Sequence, residues 1–142
     1  MKKPISLLLL AVLAIFQLSC SSNDDNNDAS LNPKSVTDCG ELTVSPTGVQ
    51  VCMTGAEFAL PNETITYAAE YNSNIARFTW TIISGDMEII DIEYSATDGI
   101  SKSIATVKFN ADFNGNGVIK MLAEDSKGSG VFEHEVALEK TN

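Results

Sequence analysis

From Thr64 onward, apolar and polar residues alternate with the period of two that marks half-buried strands. The run Thr64–Tyr71 places Ile65, Tyr67, Ala69 and Tyr71 on one face. In Ala76–Ile82, Phe78, Trp80 and Ile82 oppose Arg77, Thr79 and Thr81. Glu88–Tyr94 offers Ile90, Ile92 and Tyr94 as its inner face, with Asp91 and Glu93 opposite. Ser103–Phe109 sets Ala105, Val107 and Phe109 against Ile104, Thr106 and Lys108. Gly117–Glu124 is less regular, with Ile119, Met121 and Ala123 as its inner face, and Val131–Glu139 sets Phe132, His134, Val136 and Leu138 against Glu133, Glu135 and Glu139. Turn-forming clusters divide these runs: Asn72-Ser73-Asn74, Ser84-Gly85-Asp86, Thr97-Asp98-Gly99, Asn114-Gly115-Asn116-Gly117 and Lys127-Gly128-Ser129-Gly130. About seven or eight short strands at this spacing predict an all-β fold, an antiparallel sandwich or barrel.

The N-terminal pattern is different. Lys2 and Lys3 precede an unbroken apolar run from Leu7 to Phe16. Ten residues fall short of the roughly 20 that a membrane span needs, and the proportions are those of a secretory signal peptide. A core helix fits poorly, because no cap ends the run and a polar tract follows it. Leu18-Ser19-Cys20 resembles the lipobox of bacterial lipoproteins, with Gln17 where that pattern usually has Leu. The resemblance implies that Cys20 becomes the lipidated mature N-terminus, its soft thiol forming the thioether. Two or three palmitate-type chains, at roughly 0.8 kcal/mol per buried CH₂, give a stable anchor.

Residues 21–28 read SSNDDNND and contain no apolar side chain, a composition that cannot offset its own ordering entropy. The expected organisation is a signal peptide over 1–19, a lipidated, disordered acidic tether over 20–37 and a folded domain over 38–142. The acidic patch after the lipidated Cys resembles the surface-export signal of lipoproteins in some polysaccharide-foraging Gram-negative bacteria. That implies an outer-membrane protein facing the cell exterior; the alternative is an anchor facing the periplasm.

Of the three cysteines, Cys39 and Cys52 remain as a pair for an oxidising compartment. Leu42 and Val44, then Val49 and Val51, flank Ser45-Pro46-Thr47-Gly48 as two short strands around a turn. A hairpin there brings Cys39 and Cys52 close enough for a disulfide. Unpaired thiols and a metal site are the alternatives, although two Cys and one distant His give no zinc spacing.

The chain of 142 residues has 9 basic and 19 acidic side chains, a formal charge of −10, which becomes −12 without the first 19 residues. Nucleic-acid binding needs clustered Lys and Arg against phosphates, so this balance argues against it. Phe78-Thr79-Trp80-Thr81 with Ser84-Gly85, the run Ser101–Asn110 and the run Gly115–Gly130 resemble PKD-like and broader immunoglobulin-like domains of bacterial surface proteins. Gly85-Asp86-Met87 stands where the stricter PKD pattern has Gly-Asp-Gly. The resemblance implies an immunoglobulin-like sandwich with Trp80 in its inter-sheet core.

Candidate chemistry is sparse. His134, the one histidine, falls on the inward or rim side of the last strand, as expected for a packed residue rather than a general base. No G-x-S-x-G elbow or H-E-x-x-H motif occurs, and no cofactor is expected beyond the lipid. Asp112, Asn114 and Asn116, with Gly117 next, imitate the first half of a calcium loop, but the twelfth position is Ala123. A tight turn is the plainer reading. Phe113, between Asp112 and Asn114, is the candidate exposed aromatic for ligand contact, and a plug at the core edge is its alternative. These observations, with the resemblance, lead to a non-enzymatic surface module that binds protein or glycan. The alternative is a structural spacer or an assembly subunit of an outer-membrane complex.

Overall fold

A computed structural model describes residues 31–42 and 47–141. The signal segment, Cys20 and the acidic tail lie outside the described residues, as does the turn residue Pro46. Among the described residues eight strands form: β1 (Val51–Thr54), β2 (Phe58–Ala59), β3 (Thr64–Tyr71), β4 (Arg77–Ser84), β5 (Met87–Thr97), β6 (Ile100–Phe109), β7 (Gly117–Asp125) and β8 (Gly128–Leu138). They make two four-stranded sheets, ordered β1-β3-β6-β5 and β2-β8-β7-β4, packed as a β-sandwich. Every ladder is antiparallel except the two-residue β2–β8 pair, which is parallel.

The alternation explains why two layers form. Ile65, Tyr67, Ala69 and Tyr71 of β3 and Ala105, Val107 and Phe109 of β6 turn inward from one sheet. Trp80 of β4, Ile119, Met121 and Ala123 of β7, and Val136 of β8 meet them from the other. Each Val, Ile, Met or Phe side chain so covered contributes about 1.5–3 kcal/mol relative to exposure. The indole N–H of Trp80 donates to Ser103 Oγ across the core at 3.0 Å, so the polar edge of the largest core side chain is satisfied. Between β5 and β6, Asp98 (φ 53°) and Gly99 (φ 85°) form a two-residue turn with both central residues left-handed, the type whose twist matches a hairpin.

Three expectations are corrected. Leu42 and Val49 lie outside strands, so the described residues between the two cysteines do not form the expected hairpin. Instead β1 pairs with β3, setting Cys52 opposite Glu70, because the edge of a larger sheet buries Val51 and Met53 better than an isolated hairpin would. The Cys39–Cys52 disulfide does form, with Cα atoms 6.1 Å apart, and joins β1 to the segment that precedes it.

Residues 32–37, expected in the tether, lie against the sandwich. Val36 N–H donates to the Thr66 carbonyl at 3.1 Å, and Thr66 N–H donates to Ser35 Oγ at 2.9 Å. Lys34 bridges Glu63, at 2.8 Å, and Glu139, binding this strap to both sheets. The strap and the residues after it cover the outward face of β3, which is why Thr66, Ala68 and Glu70 are buried although they alternate with core residues.

The third correction concerns β5. Its ladder to β6 shifts register between Ile89 and Asp91, so Ile90 sits in a bulge. The inner row is therefore Met87, Ile89, Ile92 and Tyr94, and of these only Met87 and Ile89 reach the core.

Candidate interaction surface along β4 and β5

β5 and β4 are the edge strands of the two sheets on the same side of the sandwich. Residues opposite one another in a ladder share a face, and Ile92 and Tyr94 pair with the buried Ala105 and Ser103. They point toward the inter-sheet side yet stay 51% and 55% exposed, because β4 is the last strand of the opposite sheet among the described residues. Ile90 in its bulge is 52% exposed. The bulge in β4 releases Ile83 in the same way, and Ile75, in the β3–β4 connection, is 72% exposed.

Tyr94 is held in place although its ring is open. Its hydroxyl lies 3.0 Å from Ser101 Oγ and 3.3 Å from the Asn74 carbonyl, while its ring tilts against Phe78 with centroids 6.2 Å apart. A pinned aromatic loses little side-chain entropy when a partner covers it. Ile83, Ile90 and Ile92 are already about half buried, so covering the rest of one of them would add roughly 1 kcal/mol. Scattered apolar residues are ordinary on a surface, but a run of them along one side is a feature of contact sites. The opposite face of β5 carries Glu88, Asp91 and Glu93, and Glu88 lies 3.6 Å from Lys108.

Two concavities lie elsewhere on the sandwich, and the hydrogen bonds of each tie its own polar groups to neighbouring segments. A groove of about 450 Å³ lies between the N-terminal strap and the β5–β6 turn, lined by Asp38, Glu41, Glu70, Asp98 and Lys102. Lys102 Nζ bonds Asp38 at 2.8 Å and Glu70 at 3.0 Å. Those bonds, with Asp38 first, raise the lysine pKa, and the same lysine together with Gly40 N–H lowers that of Asp38. The charges in this groove serve to hold the strap down. A shallower depression of about 340 Å³ beside β8 includes His134, whose Nε2–H donates to the Ala56 carbonyl at 3.0 Å. Its ring meets Tyr67 edge-on, with centroids 5.5 Å apart, as expected for a packed histidine.

The residues singled out in the sequence fare differently. Phe113 is 2% exposed and packs edge-to-face on Phe109 with centroids 4.7 Å apart, so it is a core plug and not a ligand platform. Its loop is polar on both sides, but the 110–116 turn folds the ring inward, with Phe113 N–H donating to the Asn110 carbonyl. Asp112, Asn114 and Asn116 are exposed around that turn, where Gly115 and Asn116 take positive φ and the Asn116 carbonyl accepts the Ser84 hydroxyl at 2.7 Å. Among the described residues no group of three or more His, Cys, Asp or Glu side chains gathers around a metal-sized space. The β5 surface was missed, and its signal was the Ile89-Ile90 doublet, which breaks strict alternation where a bulge forms.

No family model matches the chain, and no curated protein or solved structure matches it.

Proposed function

We propose that this chain is a lipid-anchored, outward-facing interaction module, non-enzymatic, that docks a protein partner on the β4–β5 side of its sandwich. The observation that carries the reading is the exposed apolar run Ile75, Ile83, Ile90, Ile92 and Tyr94, collected along one side. Aliphatic side chains suit a protein partner better than a sugar, which stacks on flat aromatic faces, and Phe113 is not available for that purpose. The immunoglobulin-like reading draws support from strand order. β1-β3-β6-β5 and β2-β8-β7-β4 correspond to an A-B-E-D sheet and an A′-G-F-C sheet, with Trp80 on the third strand of that scheme. Membrane attachment rests on the lipobox resemblance at Leu18-Ser19-Cys20.

Two experiments test the two halves. Growth with a clickable fatty acid should mark the wild-type chain and leave Cys20→Ala unmarked and released from membranes; identical behaviour of both would remove the anchor. The full chain, extracted from its own membrane in mild detergent, should carry a stoichiometric protein that the Ile90→Lys/Ile92→Lys variant lacks. Equal recovery with both chains, or none with either, would contradict docking through β5.

A further inference from the structure

The docking surface just described contains a backbone edge as well as side chains, and that edge is unpaired among the described residues. From Asp91 to Thr97, β5 runs in unbroken register with Ile100–Thr106 of β6, and all seven residues are exposed. Antiparallel pairing uses every second residue's N–H and C=O for the neighbour and turns the others outward. Among the described residues no strand pairs with the far side of β5, which therefore presents a regular row of donors and acceptors. The opposite edge of the same sheet is not comparable: β1 has four residues, and Ser35 and Val36 of the strap seal β3 at Thr66.

The side chains on this edge state what fits it. Ile92 and Tyr94 line one face, while Asp91 and Glu93 line the other and are joined by Glu88 beyond the bulge. A strand added here would meet apolar groups on one side and carboxylates on the other. A second copy of this chain is disfavoured, because a two-fold centred on Ile92 sets Asp91 against Glu93 and one centred on Glu93 sets that acid against itself. Every register also brings together two chains of formal charge −10.

We propose that the free edge of β5, Asp91–Thr97, accepts an extended segment of a partner protein as a fifth strand, with basic residues facing Asp91 and Glu93 and apolar residues facing Ile92 and Tyr94. This rests on the reading that the β4–β5 side is the docking surface. Opposite-charge pairs across a ladder set the specificity, and the backbone bonds set the geometry.

The test uses the full chain in detergent and a labelled seven-residue peptide alternating Lys and Val, with an alternating Glu and Val peptide as its reverse. Binding is measured by fluorescence anisotropy, and contact is mapped by hydrogen exchange. The expected result is at least tenfold tighter binding of the Lys peptide, weakening with added salt, with new amide protection confined to 91–97 and its flanks. The Asp91→Lys/Glu93→Lys variant, its fold checked by circular dichroism, should invert the preference. Equal binding of both peptides, protection that maps elsewhere, or an unchanged preference in the variant would overturn the proposal. So would a peptide-free dimer with protected β5 amides, which would make a second copy the occupant. If these results fail while Ile90→Lys/Ile92→Lys still releases a native partner, strand addition is wrong and the docking surface stands. If both fail, the docking surface is wrong.

Discussion

The indole N–H of Trp80 and the hydroxyl of Ser103 meet at 3.0 Å between the two sheets, both side chains buried. Ser103→Ala would leave the indole N–H without an acceptor in a site closed to water. The expected cost is about 1–3 kcal/mol, read as a lower urea midpoint at unchanged m-value. A midpoint equal to wild type would mean that the indole finds another acceptor.

A second polar tie between sheets makes stability depend on pH. Tyr71 donates to Asp125 Oδ1 at 2.7 Å. Burial, and then this bond, push the Tyr71 phenol up to about 12. The Tyr71 hydroxyl, with help from Lys127 and Gly128 N–H groups and against partial desolvation, holds the Asp125 carboxyl below its ordinary 3.8. The folded state binds the phenolic proton more tightly than the unfolded chain, so that contribution is complete below pH 10 and is lost as pH rises toward about 12. The carboxylate works in the other direction: its contribution is complete above pH 3.8 and is lost as pH falls below that value. Melting temperature should therefore be flat near neutrality and fall at both ends. Tyr71→Phe should flatten the alkaline limb in part, because Lys34 and Lys102 also have raised pKa values. An alkaline limb unchanged by the substitution would contradict the assignment.

Phe113→Ala should behave as a core truncation. The ring fills space beside Phe109, near Gly117, and its removal should cost about 3–5 kcal/mol in chemical denaturation. A loss below about 1 kcal/mol would place the ring at the surface after all.

Reducing the Cys39–Cys52 bond removes a constraint across a sequence separation of 13. The chain-entropy estimate for such a loop is about 3 kcal/mol, so the Cys39→Ser/Cys52→Ser chain should unfold at a clearly lower denaturant concentration. The loosened region should show in hydrogen exchange at residues 34–42 and at β1, with β7 and β8 little changed. Uniform loosening of all strands would mean that the strap does not open separately.

Local pattern made most of this fold legible. The six runs from Thr64 to Glu139 became β3 to β8 with ends displaced by a few residues, because each alternates strongly and turn residues bound it. The failures share a cause, which is that they depend on neighbours distant in sequence. β2 is two residues long and exists only because β8 lies beside it. The strap reads as polar linker until Lys34 meets Glu63 and Glu139, 29 and 105 positions away. Alternation identified Ile92 and Tyr94 as inward-facing, but whether an opposing sheet extends far enough to cover them is a property of the assembled sandwich. Phe113 failed in the opposite direction, since its polar neighbours gave no sign that the turn folds it under.

The most direct measurement of docking through β5 places a photoreactive phenylalanine at position 92, and separately at Glu133 on the outward face of β8, in the full chain on intact cells. The account predicts one discrete cross-linked protein from position 92 and none from position 133. Adducts from both sites alike, or from position 133 alone, would contradict it.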